Sequence, residues 1–270
     1  MMDRFARVFG GGKPVIAMVH LGALPGTPLH DAERGIEGIL GDAAADLDAL
    51  QAAGFDAVMF GNENDRPYEF RVDPASTATM AYVIGRLRPR IRLPFGVNVL
   101  WDPTSSVALA AATGASFVRE IFTGTYASDM GPWTPDAGAA MRYRDRLGRR
   151  DLAMLYNVSA EFADSLDRRP LADRARSAVF SSIPDAVLVS GAITGEAARM
   201  EDLESVKRAL PRTPVLANTG VKHDTVADVL AVADGCIVGS ALKRDGDTWN
   251  PVDPARAADF MDRVRASRGQ

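Results

Sequence analysis

The residues able to do chemistry in this chain recur at the ends of short apolar runs. His20 closes "PVIAMVHL", Glu63 and Asp65 follow "FDAVMFGN", and Asn98 with Trp101 ends "FGVNVLW". Arg119 and Glu120 lie inside "SFVREIF", Asn157 closes the apolar part of "LAMLYNVS", and Ser190-Gly191 ends "DAVLVSG". Asn218, Thr219 and Gly220 end "PVLANTG", and Gly239-Ser240 interrupts "GCIVGSAL". Carboxylates such as Glu63, Asp65 and Glu120, set across one opening, are equipment for moving protons next to a carbonyl. The same carboxylates with His20 would suit a divalent metal. His20 reads as a ligand, a general base or a hydrogen-bonded rim residue. Asn98, Trp101, Arg119, Asn157 and Asn218 are types that hold substrate hydroxyls, rings or anions, although burial in a core is the stronger expectation for Trp101.

Those residues share a site only if the runs carrying them end on one face. All eight runs are β-branched and nearly continuously apolar, which suits parallel strands covered on both sides. Helical patterns separate them. Ile36, Ile39, Leu40, Ala43, Leu47 and Leu50 form one stripe that stops at Gly54. "SSVALAAATG" from Ser105 and "TVADVLAVADG" from Thr225 are briefer versions, and Asp253-Pro254 opens a closing helix as N-cap and first residue. Eight βα units in 270 residues average roughly 34 each, which predicts a single closed (β/α)₈ TIM barrel over residues 1–270. An open doubly wound sheet is the alternative, but no glycine-rich fingerprint follows the first strand. "FGGGKP" near the N-terminus lacks the Ser/Thr of a P-loop and reads as a flexible lead-in.

Within such a barrel the chemistry sits at the C-terminal strand ends, and the loops after strands seven and eight often bind phosphate. The spacing therefore assigns Thr219, Gly220, Val221, Gly239 and Ser240 to a phosphate, with Lys222 and Lys243 neutralising charge and His223 beside them. The alternative is that the two glycines only relieve crowding at the rim. Alternation lets only one of Arg119 and Glu120 point into the mouth, without deciding which. "TGTYASDMGPWTP", Thr123–Pro135, reads as a long loop serving as a lid or a subunit contact.

Composition closes several routes. A net charge of −4 without a concentrated basic face argues against nucleic acid. The lone Cys236, inside an apolar run, reads as a buried inert thiol. No apolar run approaches a membrane span and no signal-peptide pattern opens the chain, so a cytoplasmic protein with no membrane insertion is expected. Oligomeric state stays open, with room for a homo-oligomer.

Seven stretches resemble the BtpA family, most closely its SgcQ-like branch associated with carbohydrate-use operons. They are "VIAMVHLGALPG" (Val15–Gly26), "DAVMFGNENDRPY" (Asp56–Tyr68), "PFGVNVLWDP" (Pro94–Pro103) and "VREIFTGTYASDMG" (Val118–Gly131). The others are "VLANTGV" (Val215–Val221), "ADGCIVGSALKRDG" (Ala233–Gly246) and "NPVDPARAADFM" (Asn250–Met261). The resemblance implies a TIM barrel of the ribulose-phosphate-binding type, and the family name implies a link to photosystem I biogenesis. Three functions follow as expectations. The first is an isomerase, epimerase or lyase acting on a small phosphorylated sugar or related phosphate ester. The second is a non-catalytic assembly or biogenesis factor on the same scaffold. The third is a metal-dependent nucleoside or nucleotide hydrolase.

Overall fold

The computed structural model describes residues 4–269. Its first element, α1 (Arg4–Phe9), precedes strand β1 (Val15–His20) and the long helix α2 (Gly35–Ala53). Then come β2 (Ala57–Gly61), α3 (Pro74–Leu87), β3 (Phe95–Asn98), α4 (Pro103–Thr113) and β4 (Phe117–Glu120). Two short strands follow, β5 (Tyr126–Ser128) and β6 (Gly131–Trp133), then α5 (Ala137–Arg146) and β7 (Ala153–Asn157). A third short strand, β8 (Ala163–Ser165), leads to α6 (Leu171–Ser182), β9 (Ala186–Ser190) and α7 (Met200–Ala209). The chain ends with β10 (Val215–Asn218), α8 (Val226–Val232), β11 (Cys236–Val238) and α9 (Pro254–Arg268).

Eight of these strands close a parallel barrel in the order β1-β11-β10-β9-β7-β4-β3-β2. All eight fall within the runs that read as strands. The helices start where short-range chemistry dictates. Asp73, Asp102 and Asp253 each accept a backbone N–H of the first turn and are followed by proline, whose fixed φ suits that position. Gly54 and Gly114 stop α2 and α4 in the left-handed conformation, with φ of 87° and 75°.

Strand alternation builds two apolar shells. Val15, Ala17, Val19, Val58, Phe60, Val187 and Val215 pack outward against the helices. Ile16, Met18, Ala57, Met59, Phe117, Leu155, Leu188, Leu216 and Ile237 fill the interior. Helix α1 closes the N-terminal end, with Phe5 buried and Phe9 packed 5.1 Å from Phe117. Only the glycines after it, Gly10 to Gly12, fit the expected lead-in, since Phe9 belongs to the floor of the barrel.

One element escaped the sequence reading. The stretch Thr123–Pro135 is not an open loop: β5 pairs antiparallel with β6 and with β8, making a three-stranded sheet outside the barrel. Tyr126 and Trp133 from this sheet join Trp101 and Phe70 in an aromatic cluster, with Trp101 and Trp133 centroids 4.8 Å apart. Three-residue strands carry too little periodicity to be read from sequence.

Candidate active site at the barrel mouth

Moving two residues along each strand from the apolar interior reaches the mouth, and the inward residues there change character. They are His20, Gly61, Asn98, Arg119, Asn157, Ser190, Asn218 and Gly239. The two glycines make room for neighbouring polar groups. A Cβ on Gly61 would meet the Glu63 carboxylate at 2.5 Å, and one on Gly239 would meet the His20 ring at 3.0 Å. The expected rim-crowding role of Gly239 is thus part of how the site is shaped.

A small cavity of about 50 Å³ occupies the mouth, lined by His20, Glu63, Trp101, Arg119, Glu120, Asn157, Asn218, Thr219, Gly220, Gly239 and Ser240 among others. Arg119 and Glu120 both reach it, against the expectation that only one would. Arg119 takes the inward position. Glu120, the last residue of β4, turns its carboxylate back over the strand end, where Oε1 accepts from Ile121 N and Oε2 from Asn98 Nδ2 and Trp101 N. Asn98 itself supports the site by also donating to Arg119 O. Asp65 lies outside this cavity. It accepts from Leu24 N and Asn62 Nδ2, pins the loop after β1, and borders a separate cleft. Sequence spacing cannot separate Glu63 from Asp65, because the loop backbone alone decides which carboxylate turns inward.

Electrostatics sets the three mouth carboxylates apart from ordinary ones. Burial pushes Glu63 up to about 7, opposed by Arg119, and Glu120 likewise to about 7. Glu161 is raised too, by burial first, while Thr194 and Asn218 bond its oxygens. The His20 ring is held well below its usual value by burial, with Lys243 and Arg119 adding to the effect. His20 Nε2 lies 3.7 Å from Glu63 Oε1, beyond hydrogen-bond distance, so the two are neighbours without a direct bond. Burial also pushes the Cys236 thiol up to about 12, in keeping with an inert core residue.

A wider cavity of about 610 Å³ adjoins the first and shares Thr194, Gly195, Gly220, Gly239 and Ser240 with it. Val221, Lys222, His223 and Arg256 line it as well. Thr219 does not offer its hydroxyl here: Oγ1 donates to Glu196 O and accepts from Gly191 N. Gly220, at φ 61°, lets residues 196–197 approach so closely that a Cβ would sit 2.1 Å from Ala197 N. Ser240 Oγ pairs with Thr248 Oγ1 at 2.6 Å. Lys243 is displaced furthest from expectation. It is 1% exposed and ion-paired to Asp46 at 2.7 Å, tying α2 to the segment after β11 instead of meeting a ligand.

Sequence reasoning missed Glu161, Tyr68 and Thr194, which all line the mouth. Each lies beyond a strand end, in a segment the tertiary fold bends inward. Glu161 was the most accessible of them, as an acidic residue four positions past Asn157. Among the described residues no three His, Cys, Asp or Glu side chains gather as a cation site.

Closed parallel barrel and polar mouth together define a (β/α)₈ protein with a polar-lined cavity at its C-terminal face. The chain belongs to the BtpA family, whose model matches residues 11–266. It is 47% identical to the sgc region protein SgcQ of Escherichia coli (strain K12), covering 99% of this chain and 100% of that protein. It is 33% identical to the photosystem I biogenesis protein BtpA of Synechocystis sp. (strain ATCC 27184 / PCC 6803 / Kazusa), covering 97% and 91%. Among solved structures, tryptophan synthase of Mycobacterium tuberculosis superposes with a TM-score of 0.62 at 18% identity, covering 98% of this chain and 99% of that one. That likeness is one of fold.

Proposed function

We propose that this chain, as one barrel domain, is an enzyme of the isomerase, epimerase or lyase type acting on a small phosphorylated sugar or related phosphate ester. One observation carries the reading. Five residues that line the same small cavity each carry a buried polar atom without a hydrogen-bond partner: His20 Nδ1, Glu63 Oε2, Trp101 Nε1, Arg119 Nε and Asn157 Oδ1. Buried polar groups are normally satisfied, and a polar ligand would complete these at once. Trp101 and Arg119 offer donors, while Glu63 and Asn157 offer acceptors, which matches a molecule carrying both hydroxyls and oxyanions.

In this reading Glu63 is the acid–base group. Its Oε2 is free, and a value of about 7 allows it to take and return a proton at neutral pH. Arg119 stabilises negative charge developing on the substrate oxygen. Glu120, with both oxygens occupied, positions Asn98 and the Trp101 backbone instead of exchanging protons. The phosphate lies toward Gly220, Val221, Gly239 and Ser240 in the adjoining cavity, near Lys222 and Arg256.

A melting experiment tests this, using sugar phosphates, the matching free sugars, inorganic phosphate and nucleotides, with and without EDTA and divalent metals. A ligand at a hundred times its Kd stabilises by about 2.7 kcal/mol. Selective stabilisation by a phosphosugar is the expected result, and no shift with any phosphorylated ligand overturns it. The name of the 33% identical relative supports the assembly-factor alternative. Asp129, exposed between β5 and β6, is the place to probe it. Loss of partner capture in Asp129→Lys, with ligand binding intact, would favour that second reading.

A further inference from the structure

Three cationic side chains are buried in the described residues: Lys243, Arg144 and Arg119. Lys243 pairs with Asp46 at 2.7 Å and Arg144 with Asp145 at 3.0 Å. Arg119 is 6% exposed and forms no ion pair within 4.0 Å among the described residues, and its Nε has no partner. The counter-charges of Arg119 are Glu63, Glu120 and Glu161, which it influences without a direct ion pair and whose own charge burial disfavours. The buried cation is thus incompletely compensated, which is costly. The group that most directly offsets that cost is an anion brought by the ligand, and a planar carboxylate matches a guanidinium in two parallel hydrogen bonds. The cavity of about 50 Å³ that Arg119 lines is larger than a single water requires.

A second positive centre lies in the adjoining cavity. Lys222, Arg256 and Arg263 line it together with Asp224 and Asp247; Lys222 and Arg256 make no ion pair among the described residues, while Arg256 Nε donates to Ala241 O. The two cavities share five lining residues, which sets the two centres side by side at the mouth.

We infer that the substrate is anionic at both ends: a phosphorylated sugar acid whose carboxylate seats on Arg119 and whose phosphate lies between Lys222 and Arg256. This rests on the phosphate reading above and adds the class of the other end. Glu63 Oε2 and Asn157 Oδ1 accept from hydroxyls along the chain, and Trp101 Nε1 donates to an oxygen near the carboxylate. Burial supports the arrangement by lifting Glu63 and Glu120 toward neutrality, so that they repel a bound carboxylate less than ordinary acids would.

The test is calorimetry on the full chain with 6-phosphogluconate, glucose 6-phosphate, gluconate and inorganic phosphate. The first two share a six-carbon skeleton and differ at the carboxylate end. The wild type is expected to bind 6-phosphogluconate at least tenfold tighter than glucose 6-phosphate. Arg119→Gln should abolish that preference by weakening 6-phosphogluconate at least tenfold, and Arg119→Lys should retain part of it. Arg256→Gln should weaken both phosphorylated probes alike. A cooperative ligand-free melt of Arg119→Gln checks that the variant folds. Equal affinity for the two phosphorylated probes overturns the carboxylate assignment and leaves the phosphate reading standing. A preference that survives in Arg119→Gln overturns the role of Arg119. Failure of both phosphorylated probes to bind overturns the phosphate reading, and this inference with it.

Discussion

At the scale of single residues, the mouth divides similar side chains by the partners they find. Glu63 and Glu120 are both buried carboxyls lifted to about 7, yet one has a free oxygen and the other accepts three hydrogen bonds. The raised value of Glu63 has a consequence for stability. A carboxyl whose folded value exceeds its unfolded one contributes stability that is fully present below about 4.5 and lost as pH rises through about 7. Glu63→Gln, which cannot ionise, should therefore melt like the wild type near pH 4.5 and higher than it at pH 8. At about 1.4 kcal/mol per pH unit, the gain has an upper bound of about 3 kcal/mol. Equal melting temperatures at pH 8 would mean that the carboxyl is not desolvated as described. Turnover, once a substrate is identified, should fall by about 10²-fold or more in the same variant.

At the scale of elements, the decisive interactions are those joining pieces distant in the chain. Asp46 falls on the buried side of α2, where a helical stripe would predict an apolar residue. Its Oδ2 pairs with Lys243 and its Oδ1 accepts from Val252 N, so one carboxylate fixes the segment between β11 and α9. Lys243→Met should leave that carboxylate buried and unpaired, at a cost of about 3 kcal/mol or more in denaturant unfolding. Asp46→Leu combined with Lys243→Met should recover part of the loss, and a strictly additive double variant would argue against the pair. The three-stranded sheet works in the same long-range manner. Residues near 127 and 164 meet across α5 and β7, and Tyr126 and Trp133 pack beside Trp101 at the mouth.

For the whole molecule, the barrel keeps its apolar floor and its polar mouth at opposite ends. Phe5 and Phe9 seal the N-terminal end, while the polar layer from His20 to Gly239 opens at the other. Phe5→Ala should cost about 3 kcal/mol in unfolding free energy by emptying the floor of the barrel. Ligand-induced melting shifts should keep their size in that variant, because the floor does not touch the mouth. A reduced shift would show that the two ends are coupled. Among the described residues no helix is long and apolar enough to cross a membrane.

The eight strands, the Asp-Pro helix starts and the glycine stops were all written in local sequence, because each depends on neighbours within a few residues. The strand-end positions of His20, Asn98, Asn157 and Asn218 were legible for the same reason, since a barrel turns each strand end toward one mouth, whereas the choice between Arg119 and Glu120 was left open. Direction and partnership were not legible. Glu63 faces the cavity and Asp65 does not, Lys243 pairs with a residue 197 positions away, and Glu161 swings in from beyond its strand. Those outcomes depend on loop backbones and on contacts between distant segments. Burial then decides the charge of each group, since desolvation exists only once the fold has closed around it.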